Sequence, residues 1–172
     1  DLIGSGLVTY EQHCGVRVAE VEPEQVRQVY HARKLIEREI SRLAFQATDT
    51  DTIDRLTALV DEMDEHCLNG HIDKLMAADE KFHTTILKAC GNPYLVTAAQ
   101  HLWDGFPRYF IWLSEGRMAQ SMGEHRRLVE ALSEGDEKGF VDSTTEHLDN
   151  SLAMVLAYVA AQTVEPEDAH NE

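Results

Sequence analysis

Apolar residues recur every three or four positions along almost the whole chain, and that spacing predicts helices. A first helix over residues 23–47 carries Val26, Val29, Tyr30, Ile36, Ile40, Leu43, Ala44 and Ala47 on one stripe. It opens at Pro23, whose fixed φ suits a first helical turn. A second, over 50–68, carries Ile53, Leu56, Val60, Met63 and Cys67, with Asp49 or Asp51 as its N-cap and Asn69-Gly70 as its stop. A third runs over 71–90 and ends at Gly91-Asn92-Pro93. A fourth, over 93–115, holds Leu95, Ala99, Leu102, Trp103, Phe106, Phe110 and Leu113, and Pro107 should kink it. The fifth, over 117–134, stops at Gly135, and Asp136 caps the sixth, over 136–163. Residues 1–22 have a different texture: GLVTY and GVRVAEV, rich in β-branched residues and joined by EQHCG, predict a β-hairpin closed near Gly15. The expected fold is all-α, an antiparallel bundle of about six helices over residues 23–164, with the hairpin before it and a disordered acidic tail, 165–172, after it.

Four polar side chains interrupt the stripes. In the third helix Asp79 and His83 fall among Ile72, Leu75, Met76, Phe82, Ile86 and Cys90. In the fifth, His125 falls among Met118, Met122, Leu128, Val129 and Leu132; in the sixth, His147 falls among Phe140, Val141, Thr144, Leu148, Ser151, Leu152 and Val155. A lone histidine in such a place is usually a satisfied core residue, and an Asp–His pair at i, i+4 can be no more than a local hydrogen bond. Three helices each placing such a residue on the inward face, near mid-helix, weakens that plain explanation. Buried without partners they would be costly, and three imidazoles with one carboxylate form a metal-ligand set. Imidazole nitrogen with one carboxylate oxygen suits Zn²⁺, Ni²⁺, Mn²⁺ or Fe²⁺. Tetrahedral zinc would be closed by these four and act as a staple, whereas five- or six-coordinate metal would keep positions for water or a carboxylate. The remaining histidines, His13, His31, His66, His71, His101 and His170, lie off this seam or at element ends and are assigned no chemistry.

The first helix has its own intrusion. Arg33 breaks the apolar stripe, with Glu37 one turn later, and a guanidinium facing a bundle interior needs an anion. Glu37 can supply it at i, i+4. A small ligand with a carboxylate is the other candidate, and the two can alternate between empty and occupied states.

Composition narrows the picture further. The chain has 172 residues, 43% of them hydrophobic, enough for one domain with a sizeable core. A formal charge of −16 repels phosphate backbones, so nucleic-acid binding by the bulk of the chain is disfavoured. No window reaches the roughly 18 consecutive apolar residues of a membrane span. Cys14, Cys67 and Cys90 make no CxxC pair and no even-numbered disulfide framework, so a reducing, cytoplasmic setting is expected.

Several segments together resemble a known family. LIGSGLVTYEQHCGVRVAEV looks like the end of a winged helix-turn-helix domain. VEPEQVRQVYHARKLIEREISRLA, with R-x-x-x-E at Arg33 and Glu37, ADEKFHTTILKACGNPYL with D-x-x-x-H, EHRRLVEALSEGD and TEHLDNSL follow in the order found in the helical FCD effector-binding domain of GntR-type bacterial transcription regulators. The resemblance implies that Asp79, His83, His125 and His147 hold the metal, for which zinc is the expected ion, and that an effector, typically a small organic acid, contacts the metal site, with Arg33 as the residue expected to bind it. It also implies a homodimer, operator DNA as partner through a DNA-binding domain lying mostly before Asp1, and no enzymatic activity. Residues 1–22 would be that domain's wing and linker, a poorly basic one, with Arg17 set against Asp1, Glu11, Glu20 and Glu22. Two other readings of the same residues stand beside the sensor. One is a metal-dependent enzyme, for which no clear general base is in view, and the other a purely structural zinc site. Trp112, off the inward stripe, is a candidate for a subunit interface or for packing beyond the kink.

Overall fold

A computed structural model of the chain describes residues 8–11, 15–18, 22–104 and 115–162. A two-stranded antiparallel hairpin comes first, β1 Val8–Glu11 and β2 Gly15–Val18, in the register Val8↔Val18 to Glu11↔Gly15. Six helices follow: α1 Pro23–Ala47, α2 Thr50–Leu68, α3 Ile72–Ala89, α4 Pro93–Asp104, α5 Glu115–Glu134 and α6 Glu137–Gln162. The described helix boundaries lie within two residues of those expected from the hydrophobic spacing, except the end of the fourth. Pro107, Phe106, Phe110, Trp112 and Leu113, together with the acidic tail, lie outside the described residues.

Turn chemistry sets the helix ends. Asp49, rather than Asp51, caps α2, accepting a hydrogen bond from the Thr52 amide at 2.9 Å. Gly135 adopts φ 72°, which an L side chain avoids, and ends α5 in a Schellman turn, with Asp136 N–H reaching back to the Ala131 carbonyl at 2.9 Å. Asp136 then accepts from the Gly139 amide at 2.9 Å and starts α6. One glycine and one aspartate thus turn α5 directly back as α6. At the start of α4, Asn92 Oδ1 accepts from the Tyr94 and Leu95 amides at 3.1 and 3.3 Å. Asn92→Ala is expected to lower stability by about 1 kcal/mol, read as a lower midpoint in urea denaturation.

Helix α1 packs on α6, α3 and α4; α2 packs on α3 and α5; α5 packs on α6. The largest apolar cluster joins α2, α3, α5 and the start of α6 through Leu56, Met63, Leu75, Phe82, Leu128 and Phe140. A second joins α1, α3 and α4 through Ile40, Ala44, Leu87, Ala99 and Trp103. A third pins the start of α1 to the end of α6 through Val26, Tyr30, Val155 and Val159. Two positions on α1 depart from the expected stripe: Ala47, in the last turn, is exposed, while Ser41 is buried and shares a 2.9 Å hydrogen bond with Thr144 of α6. None of the described helices is long and apolar enough to cross a membrane.

Candidate metal centre

Similar spacing from a turn brings two of the polar intrusions to nearly the same level. His125 stands ten residues before Gly135 and His147 twelve after it. At the α-helical rise they lie about 15 and 18 Å from the turn on paired helices. Asp79 and His83, one turn apart on α3, meet them from the other side. His83, His125 and His147 each offer a ligand atom within 4.8 Å of the other two. The His83 and His125 Nε2 atoms are 3.2 Å apart, and Asp79 Oδ1 lies 3.4 Å from the first and 3.5 Å from the second. The His147 ring centre is 5.2 Å from that of His83 and 5.0 Å from that of His125. All four expected ligand residues therefore converge.

The spacing suits a metal. Zn–N bonds of 2.0–2.1 Å in a tetrahedron imply ligand atoms about 3.3–3.4 Å apart, close to the contacts among Asp79, His83 and His125. The donor set, borderline imidazole nitrogens and one hard oxygen, fits a divalent first-row ion. Electrostatics agree. Burial works against the Asp79 charge, but the charge and hydrogen bond of His83 and the charges of His125 and His147 outweigh it. Together they hold the carboxyl well below the usual carboxylate range, ionised and ready to ligate. His125 is wholly buried, with its ring centre 4.7 Å from that of Phe82; His83 is partly exposed and meets the Trp103 ring edge-on at 5.7 Å. The site thus lies where the two larger apolar clusters meet.

Glu124, which sequence reasoning passed over, contacts this group. It is 1% exposed, its Oε2 is 2.6 Å from His147 Nδ1, and its Oε1 accepts from Asn150 Nδ2 at 2.8 Å. A signal was available: Ser121, Glu124 and Leu128 form a helical stripe beside that of His125, and all three are buried.

Arg33 and Glu37 form a second polar group nearby, both 7% exposed. Arg33 Nε donates to Glu37 Oε1 at 2.7 Å, and Trp103 Nε1 donates to the same oxygen at 2.8 Å. The guanidinium also lies 4.8 Å from the Tyr30 ring centre and 5.7 Å from that of Trp103. Burial opposes the Arg33 charge, but Glu37 and Tyr30 outweigh it, and its pKa is raised. A cavity of about 20 Å³ is lined by Glu37, Ser41, His83, Trp103, Thr144 and His147 among others, so it borders Glu37 on one side and two of the histidines on another.

A family model matches most of the chain, and solved structures share its fold. The FCD domain model matches residues 28–150. The HTH-type transcriptional repressor GlaR of Escherichia coli strain K12 is 26% identical over 157 residues, covering 86% of this chain and 71% of GlaR. The structure of E. coli McbR/YncC is similar with a TM-score of 0.76 at 17% identity, covering 94% of this chain and 80% of that one. The Zn²⁺-bound FCD domain of TM0439 is similar with a TM-score of 0.65 at 22% identity, covering 82% of this chain and 98% of that one. With the family match running over most of its length, this chain belongs to the FCD domain family.

Proposed function

We propose that this domain binds one divalent transition-metal ion through Asp79, His83, His125 and His147, senses a small organic acid beside it, and thereby controls operator binding. The convergence of three imidazoles and an ionised carboxylate from three helices carries this reading. Zinc is the favoured ion, with nickel, manganese and iron chemically acceptable; the zinc-bound domain of TM0439 supports that preference. When bound, the metal supplies a Lewis-acidic centre that an acid's oxygens can join. The chain's own residues do the rest. Arg33 offers the effector carboxylate a guanidinium once Glu37 gives way. Because α1 bears Arg33 and follows directly on residues 1–22, a shift of α1 against α6 would reach the DNA-binding part. In this reading those residues are the wing and linker of that part, and residues 23–164 the sensing domain. The working unit is a cytoplasmic homodimer. An effector acts only through a difference in affinity between two arrangements of the helices. GlaR is a transcriptional repressor, and the site is accordingly read as sensing rather than catalysing.

Chelator-treated protein titrated with Zn²⁺ is expected to take up one ion per chain by calorimetry and native mass spectrometry. It should gain about 2.7 kcal/mol of stability at free zinc a hundredfold above Kd. Absence of stoichiometric binding would overturn the reading. A second reading, zinc as a pure staple, draws on one observation: Arg33 is already paired with Glu37, and the adjoining cavity of about 20 Å³ holds little more than one water. Under it, small carboxylic acids would leave the melting temperature of the zinc-loaded protein unchanged.

A further inference from the structure

We infer that Glu124 is the positioning residue for His147, fixing the tautomer that turns its Nε2 toward the metal ligands; this rests on the metal site proposed above. Glu124 sits on α5 next to His125, and His147 faces it from α6, so one helix pair carries a ligand, another ligand and the group that orients the second. Both oxygens of Glu124 are engaged: Oε2 with His147 Nδ1 at 2.6 Å and Oε1 with Asn150 Nδ2 at 2.8 Å. The Asn150 NH₂ group donates to Oε1, and a carboxylate oxygen accepts. The proton on the imidazole therefore lies on Nδ1, donating to Glu124, and the lone pair lies on Nε2. That nitrogen is the one left for the cluster with His83 and His125. The carboxylate also feeds negative charge into the ring and makes Nε2 a stronger donor to a cation.

The arrangement explains why an acid, and not its amide, occupies this buried position. Glutamine has the same size but offers one acceptor oxygen and one N–H₂ group. Two donors, His147 N–H and Asn150 N–H, face that pair of atoms. In E124Q one of them must meet an N–H₂. If it is His147, the ring is driven to the other tautomer, with its proton on Nε2, where it blocks metal ligation. If it is Asn150, the ring keeps its tautomer but loses the charge that strengthens Nε2.

The test compares wild type, E124Q and E124D, using Zn²⁺ alone as probe. E124Q is expected to bind zinc 10- to 100-fold more weakly by competition calorimetry, the range for partners behind a metal-ligating histidine. E124D, which restores the charge, should recover part of the loss. Metal-free wild type should show His147 protonated at Nδ1 in long-range ¹H–¹⁵N spectra, a signature that a merely structural role for Glu124 would not require. Zinc affinity unchanged in folded E124Q, or an Nε2-protonated His147 in metal-free wild type, overturns the inference. Should E124Q fail to fold, the wild-type tautomer alone decides. Wild type that binds no zinc sinks the metal site itself, a result distinct from a variant that binds as wild type does.

Discussion

His125→Ala is expected to abolish specific metal binding, with zinc affinity falling by more than about a hundredfold, because groups that merely orient a ligand already account for 10–100-fold. Of the four proposed ligands it has the least alternative. It is wholly buried, its Nε2 lies 3.2 Å from that of His83 and 3.5 Å from Asp79 Oδ1, and no solvent reaches it to replace the lost nitrogen. The effect should appear in stability as well as in affinity. At a free zinc concentration a hundredfold above the wild-type Kd, wild type gains about 2.7 kcal/mol. A variant bound a hundredfold more weakly would then sit at its own Kd and gain only about 0.4 kcal/mol. Denaturant titrations with and without zinc read that difference directly. His31→Ala and His101→Ala, at exposed positions on α1 and α4, should leave both quantities unchanged. Retention of zinc affinity by His125→Ala would refute the ligand assignment, whatever happened to the metal-free protein.

Periodicity made the bundle legible because each helix buries one stripe, and a polar residue on that stripe is conspicuous for what its burial would otherwise cost. Asp79, His83, His125 and His147 stand out on those grounds. Glu124 did not, for two physical reasons. Helix α5 packs against both α2 and α6 and buries a wide arc, including Ser121, Glu124 and Ala131, so one narrow stripe understates its inward face. A glutamate at the head of EHRR also reads as a solvated charge unless its partners are known, and those partners, His147 and Asn150, come from another helix. The same holds for Glu37. Its pairing with Arg33 follows from i, i+4 spacing, whereas the hydrogen bond from Trp103 spans 66 residues and exists only because α4 packs on α1. Local geometry is written in local sequence; contacts between helices become visible only when the packing is known.

That three-way contact sets the second large effect. Glu37→Ala is expected to destabilise the protein by about 3–5 kcal/mol, the range for removing one partner of a buried ion pair. The variant leaves the Arg33 guanidinium, 7% exposed, without its carboxylate, and takes from Trp103 Nε1–H its Glu37 acceptor. The Tyr30 and Trp103 ring faces soften the loss but cannot replace a full charge. Replacing both members, as in Arg33→Met with Glu37→Leu, should recover most of the stability, because the uncompensated charge is then gone. What remains is the lost acceptor for the indole N–H, worth about 1–3 kcal/mol. Urea denaturation of metal-free wild type, Arg33→Met, Glu37→Leu and the double variant closes the cycle, with Glu37→Ala measured beside them. A Glu37→Ala loss under about 1 kcal/mol would mean that water or a neighbour already serves the guanidinium. The double variant further separates stability from sensing. It retains all four proposed metal ligands, so zinc binding should persist, whereas any response to small carboxylates that depends on the Arg33 guanidinium should vanish. A response that survived would assign recognition of the acid to the metal ligands and the hydroxyls of Ser41 and Thr144 instead.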